Sequence, residues 1–193
     1  MKKPSLVLPF AAAFFLAALP ASQVHAQKKQ PTSEEVRIQL EKDVPETIAS
    51  YKKTDPGMER FFKDSAGYVV FPRIGKGGFI FAGGHGTGGV YEKGQLIGAA
   101  SITLASVGFQ AGAQAFSEII FFSDAAALDR FKQNKFEFNA NVSAVIIKAG
   151  ASKGANYRDG VAVFTQPLGG AMVEAALGAQ KFSFRPDAVA AKK

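Results

Sequence analysis

The spacing of apolar residues divides the chain into a helical first part and a β-rich remainder. Between about residues 27 and 64 the apolar positions recur at helical intervals, and they are Val36, Leu40, Val44, Ile48 and Tyr51. Thr32 and Glu35 have the spacing of a capping box, in which each side chain satisfies a backbone N–H of the first turn. The pattern predicts an amphipathic helix with a kink at Pro45, or two helices that meet near Val44. A short further helix is predicted over residues 58–63, after the turn 55–57.

From Gly67 onward, short apolar runs separated by glycine-containing turns predict β-strands. The expected strands are 68–71, 79–82, 87–91, 96–103, 107–113, 118–122, 136–147, 161–164, 171–175 and 180–184. Residues 92–95 are expected to form a hairpin turn. Ser123 is expected to cap a helix that runs through Phe131, with Asp124 in its first turn. The predicted fold class is therefore α+β, with N-terminal amphipathic helices packed on a large, curved, mostly antiparallel sheet.

The faces of this sheet differ in pattern. Four phenylalanines alternate with polar residues and are expected on one buried face: Phe136, Phe138, Phe182 and Phe184. In 119–122 and 161–164 both faces are apolar, which predicts a sheet covered on both sides by helices, by a second sheet or by a ligand. The many small residues between 98 and 115 predict either close packing of another element or a slot for an acyl chain, and close packing is the more common arrangement.

The first 26 residues have the features of an export signal. Lys2 and Lys3 precede an apolar run over 6–19, and 24–26 form a small-residue cleavage site. We therefore expect a signal peptide over 1–26 and one domain over 27–193, exported to the periplasm or secreted. The sequence has no Cys, so neither disulfides nor a lipoprotein anchor on Cys is expected.

Positive charge bears on the class of partner. The formal net charge is +7, or +5 without Lys2 and Lys3, which favours anionic lipid or a polyanionic glycan over nucleic acid, with solubility alone as the alternative. Basic residues concentrate where the helical part meets the sheet, and they are Lys52, Lys53, Arg60, Lys63, Arg73 and Lys76, against Asp55, Glu59 and Asp64. Such a cluster would attract anionic headgroups by about 1 kcal/mol for each cation.

Motifs for catalysis and for cofactors are weak in this sequence. Residues 84–89 match G-x-G-x-x-G, but the pattern continues as a strand and does not open a helix, as a dinucleotide site would require. After residue 26 the only histidine is His85, so no cofactor, metal or catalytic site is predicted. Glu118 and Glu174 could form a buried acid pair, although we expect both to face solvent on alternating strands. A GxxxG at 108–112 would suit a membrane helix, but nearby polar residues argue against one.

The glycine-rich segments resemble the SYLF domain family. The resemblance rests on the following segments in this order: 66–72, 76–79, 83–90, 106–114, 119–122 and 127–131. It covers about residues 53–184. The resemblance implies a binding domain for phosphoinositides and other anionic phospholipids, without catalytic residues, in a bacterial exported member of the family.

The expected function is thus non-enzymatic binding of anionic phospholipid of the phosphoinositide or phosphatidic acid type. The six cations listed above would attract the headgroups, and Phe61 and Phe62 would supply apolar contact. The alternative is a cell-envelope module that binds a protein or glycan partner. An enzyme would require Glu118, Glu174 or His85 to converge in one pocket.

Overall fold

The computed structural model describes residues 31–77, 81–107, 113–136, 138, 142–168 and 180–189. The helices in these residues are α1 (Ser33–Thr54), α2 (Glu59–Asp64) and α3 (Ala125–Lys132). The strands are β1 (Gly67–Gly77), β2 (Phe81–Glu92), β3 (Gln95–Val107), β4 (Ala113–Phe122), β5 (Ala144–Ile146), β6 (Val161–Pro167) and β7 (Gln180–Arg185). Short 3-10 segments occur at Pro56–Met58, Ala151–Gly154 and Pro186–Val189. The predicted export signal lies outside the described residues.

The predicted capping box starts α1. The Glu35 N–H donates to the Thr32 hydroxyl (3.2 Å), and the Thr32 N–H donates to the Glu35 carboxylate (2.7 Å). α1 then continues through Pro45 as one helix of 22 residues, so of the two alternatives the one with two helices that meet near Val44 is wrong. Pro45 is exposed, and the carbonyl that loses its helical donor there can be solvated by water. The buried face of α1 contains four of the five predicted apolar positions: Val36, Leu40, Val44 and Tyr51.

The described strands form one curved sheet. Their order is β5-β6-β4-β1-β2-β3-β7, and neighbours are antiparallel except for the parallel pair β5 and β6. The Gln180 amide on β7 donates to the Glu118 carboxyl on β4 (3.4 Å), although three strands lie between them. In a flat sheet with strands about 4.8 Å apart, β4 and β7 would be about 19 Å apart. The contact therefore requires strong curvature, and the predicted fold class is confirmed.

Helices cover both faces of this sheet. α1 and α2 pack on the convex face, in a cluster that includes Leu40, Phe61 and Phe121. α3 packs against the concave face, where the cluster includes Leu128 and Phe131. The predicted aromatic face belongs to the concave side, because Phe136 and Phe182 are buried there and Phe138 and Phe184 are partly buried against them. The double covering explains why both faces of β4 and β6 are apolar.

Several strand boundaries differ from the prediction. β1 continues past Pro72, because the register shifts between Val70 and Arg73 and proline is tolerated at such a bulge. β2 is one strand, where two had been predicted. Among the described residues of 136–147, only Ala144–Ile146 are in a strand, and the Phe136 ring packs among the rings of Phe122, Phe131 and Phe182. The predicted strand 171–175 lies outside the described residues, as does most of 107–113.

Two local turn predictions have different outcomes. The hairpin turn at 92–95 is confirmed, since Lys93 and Gly94 have φ values of 51° and 77°, as a two-residue hairpin loop of type I′ needs. The cap of α3 was predicted one residue too early. Asp124 is the N-cap, and its carboxylate accepts the Ala127 N–H (2.9 Å) while the Ser123 hydroxyl donates to the same carboxylate (2.7 Å).

The small residues of β2 and β3 serve close packing. A Cβ atom at Gly88 would lie 2.5 Å from the Val70 carbonyl oxygen and 2.6 Å from the Phe71 ring. At Gly98 a Cβ atom would collide with the Phe184 ring. These positions contain no slot for an acyl chain, so close packing is the correct alternative at them. The motif at 84–89 lies wholly within β2 and does not open a helix.

Candidate functional site

The end of α1 presents two lysines in different environments. The Lys52 ammonium forms a salt bridge with Glu59 (2.8 Å) and lies 4.7 Å from the centre of the Phe62 ring. Lys53 is exposed, and no ion pair to it occurs among the described residues. Lys53 is therefore free to meet an external anion, whereas Lys52 must first give up Glu59.

The two phenylalanines of α2 also differ. Phe61 is only 3% exposed, and its ring lies 4.8 Å from that of Phe164 and 5.5 Å from that of Phe121. Phe62 is partly buried against Tyr68 and Phe121. Phe61 is thus a core residue on the convex face, and contact between its ring and an external apolar group would require the core to open.

Arg60 is bound to the protein's own backbone. Its guanidinium group donates to the carbonyl oxygens of Ser152 and Ala155, the latter at 2.9 Å. The side chain lies 4.7 Å from the centre of the Phe61 ring. Since these contacts fix the side chain against the segment 151–155, Arg60 contributes charge to this surface but has fewer free donors than an exposed lysine.

Asp55 binds the same segment as Arg60, but through backbone N–H groups instead of carbonyl groups. Its carboxylate accepts the N–H groups of Ser152 (2.7 Å) and Gly57 (3.0 Å), and the residue is only 3% exposed. Burial alone would raise the pKa of Asp55, but the hydrogen bonds from Ser152 and Gly57 outweigh it and the pKa is lowered. A Cβ atom at Gly57 would collide with the Ser152 hydroxyl. The helix junction, defined here as residues 52–64, is therefore in direct contact with the turn at residues 148–154.

This 148–154 turn brings two lysines that the sequence analysis did not single out. Lys148 and Lys153 are both exposed on it. The turn is closed by backbone hydrogen bonds from Ala151 to Lys148 (2.9 Å) and from Lys153 to Gly150 (3.2 Å). No local signal connects these lysines with the helix junction, because about 90 residues of chain separate the two segments and only tertiary packing joins them.

Arg73 lies elsewhere on the molecule. It lines a cavity of about 330 Å³ together with Glu35 and Asp43 on the first part of α1. Nine residues of helix separate Asp43 from Lys52, which corresponds to about 14 Å. Lys76 is on β1 opposite Gly84, and its side chain lies outside the described part of the structure. Of the six predicted cations, four thus belong to the helix junction and Arg73 does not.

The junction and the turn together carry a positive excess. Six cations, Lys52, Lys53, Arg60, Lys63, Lys148 and Lys153, stand against three carboxylates, Asp55, Glu59 and Asp64. The excess is three charges, and the four lysines at 53, 63, 148 and 153 are exposed. Because opposite charges attract, a surface with this excess attracts anions at short range.

Glu118 is the buried carboxyl group of the concave face, contrary to the expectation that it faces solvent. It is fully buried, and burial raises its pKa to about 8 although the hydrogen bond from Gln180 lowers it. One carboxyl oxygen has no hydrogen-bond partner among the described residues, and the same is true of the Thr165 hydroxyl on the neighbouring strand β6. The local alternation misleads here because the curved sheet encloses the face that would otherwise meet water.

The candidate catalytic residues do not converge. Gly84 and Gly86 on β2 face the concave cluster, since Cβ atoms there would contact Leu104 and Ile102. His85 between them points to the other face and is exposed, so it lies across the sheet from Glu118. Glu174 lies outside the described residues.

The described residues contain neither a metal-binding cluster nor a helix suited to span a membrane. No group of three His, Asp or Glu side chains there could hold a metal ion. None of the helices in that part of the chain has both the length and the apolar character to cross a bilayer.

The second half of the chain is similar to a known family. Residues 103–190 match the family model described as Ysc84, Las17-binding protein actin regulator. No curated protein matched the chain significantly. The matched residues run from within β3 to beyond the 3-10 segment Pro186–Val189 and include the 148–154 turn, whereas the helix junction precedes them.

Proposed function

Because residues 103–190 assign the chain to the Ysc84 family, whose domain is the SYLF domain, we propose that the protein binds anionic phospholipid headgroups reversibly at a membrane surface. The match agrees with the resemblance carried by the glycine-rich segments, which extends further toward the N-terminus. Headgroups of the phosphoinositide or phosphatidic acid type have the charge that this surface would attract.

The observation that carries the proposal is the pair of exposed lysines on the helix junction. Lys53 and Lys63 have no ion pair among the described residues, so headgroup binding does not require a salt bridge to break first. Lys52 joins them at the cost of its contact with Glu59. Phe62 is the candidate for apolar contact, because it is partly exposed where Phe61 is not.

Co-sedimentation with vesicles tests this function. Vesicles of phosphatidylcholine with phosphatidic acid should pellet the protein, vesicles of phosphatidylcholine alone should not, and added salt should weaken the binding. The double variant Lys53→Gln/Lys63→Gln should bind about 30-fold less tightly, since each cation contributes about 1 kcal/mol. Lys135→Gln/Lys181→Gln is the matched control, because both lysines are exposed and Lys181 lies on β7, at the sheet edge opposite β5. Equal pelleting with neutral and acidic vesicles, or none with either, would refute the proposal.

A protein or glycan partner is the second candidate. The description of the matched family names Las17 binding and actin regulation, which favours a protein partner for this domain as well. An acidic protein or glycan would also suit the basic surface. Capture from an envelope extract, compared with vesicle binding at the same salt concentration, separates the two candidates. Binding to the extract without binding to vesicles would favour the second one.

No reaction is proposed for this protein. The family consists of binding domains, and Glu118 and His85 lie on opposite faces of the sheet. We further propose that the protein is exported and acts in the periplasm or outside the cell, on the evidence of the signal-like residues 1–26. The mass of the protein isolated from its host tests this, because cleavage would leave a chain that begins at Gln27.

A further inference from the structure

The 148–154 turn is a second basic segment beside the helix junction. Lys148 and Lys153 are exposed on it, and neither has an ion pair among the described residues. The turn contains no carboxylate, so its two charges are not neutralised within the segment. The turn is far from the junction in sequence, so the sequence alone does not indicate that the two segments are in contact.

Contacts from both sides fix the turn against the junction. Asp55 accepts the Ser152 N–H, and Arg60 donates to the Ser152 and Ala155 carbonyls, so Ser152 is held through both of its backbone groups. The Ser152 side chain packs directly on Gly57, where a Cβ atom would not fit. Lys153 follows Ser152 in sequence, and Lys63 lies one turn of α2 after Arg60. The two lysines therefore lie on either side of the hydrogen bond between Arg60 and Ser152.

We propose that Lys148 and Lys153 form one membrane-binding surface with Lys53 and Lys63. The inference rests on the proposed function, because the partner that would contact this surface is a bilayer rich in phosphatidic acid. An extended anionic surface can meet both segments at once, and the positive excess of three comes from the two segments together. The Asp55 and Arg60 contacts hold the two backbone segments that carry the four lysines against each other, so the segments need not be ordered on binding.

Vesicle binding of a second double variant tests this inference. Lys148→Gln/Lys153→Gln should bind phosphatidic acid vesicles about 30-fold less tightly than the unaltered chain, about fivefold for each cation. The control Lys135→Gln/Lys181→Gln removes the same charge from other parts of the surface and should bind nearly as the unaltered chain does. Both altered side chains are exposed, so circular dichroism and thermal unfolding should match among all three proteins.

The outcomes separate the two proposals. If the unaltered chain prefers acidic vesicles and the 148/153 variant binds as tightly as the 135/181 control, the turn is not part of the surface and the inference fails while the proposed function stands. If both double variants weaken binding equally, net charge alone is responsible, and the inference also fails. If the unaltered chain shows no preference for acidic vesicles, the proposed function fails. A selective loss in the 148/153 variant, together with a weaker dependence on salt, supports the inference.

Discussion

The buried carboxyl group of Glu118 should make the stability of this protein depend on pH. Its pKa is about 8 in the folded protein, against an ordinary value of 4.5 for the unfolded chain. Between these values the folded state holds a proton that the unfolded state has lost, so stability falls as the pH rises. The favourable contribution is complete below pH 4.5 and is lost by about pH 8.

The magnitude follows from this interval. Each pH unit between the two pKa values changes the free energy of unfolding by about 1.4 kcal/mol, so the protein should lose about 3 kcal/mol from this group between pH 4.5 and pH 7. In Glu118→Gln the side chain keeps nearly the same shape and cannot ionise. The difference in stability between the variant and the unaltered chain should therefore shift by about 3 kcal/mol in favour of the variant over that range.

Urea unfolding of both proteins at pH 5, 6, 7 and 8 measures this difference, because the contributions of all other titrating groups cancel. Glu46→Gln at an exposed position of α1 is the control for the change in net charge. A difference between Glu118→Gln and the unaltered chain that stays constant with pH would refute the reasoning. It would mean that water reaches the carboxyl group and that the concave face is not closed around it.

Three further predictions concern packing and capping, and urea unfolding tests each of them. Asp124→Ala should lower stability by about 1 kcal/mol, since α3 loses its N-cap, whereas Ser123→Ala should cost less because Ser123 only supports that cap. Tyr51→Phe should cost about 1 to 2 kcal/mol, because the buried hydroxyl donates to the Ser117 carbonyl (2.8 Å), and an unchanged stability would contradict that bond. Gly88→Ala should cost more than 1 kcal/mol, since its Cβ would meet the Val70 carbonyl, whereas Gly75→Ala has open space and should cost less than Gly88→Ala.

Local signals predicted the elements that depend on local contacts. The capping box and the apolar spacing of α1 identified the helix and its buried face, because both arise from residues three or four positions apart. The hairpin turn at 92–95 likewise follows from two residues that adopt positive φ. Pro45 lies inside α1 and Pro72 inside β1, since an exposed helix position and a β-bulge can each accept a proline.

Long-range geometry explains where the prediction of the surface fell short. Arg73 is only ten residues after Lys63, yet β1 carries it about 20 Å from Gly67 along the strand, toward the first part of α1. Lys153 is far from Lys63 in sequence, yet the contacts of Asp55 and Arg60 with Ser152 bring it to the same surface. Glu118 could not be recognised as buried, because its enclosure depends on a contact with β7 across three strands.

The contacts of each cation decide what it can add to an anionic surface, and charge counting alone does not. Arg60 would lose its hydrogen bonds to two carbonyls if it turned to a headgroup, and the 148–154 turn would lose its support. Lys52 would have to break its salt bridge with Glu59 to bind a headgroup, so the attraction lost offsets the attraction gained. Lys53 and Lys63 give up no ion pair within the described residues and therefore keep the whole attraction for a partner. The four cations of the helix junction thus separate into Arg60 and Lys52, which are held by contacts within the protein, and Lys53 and Lys63, which remain available on the surface.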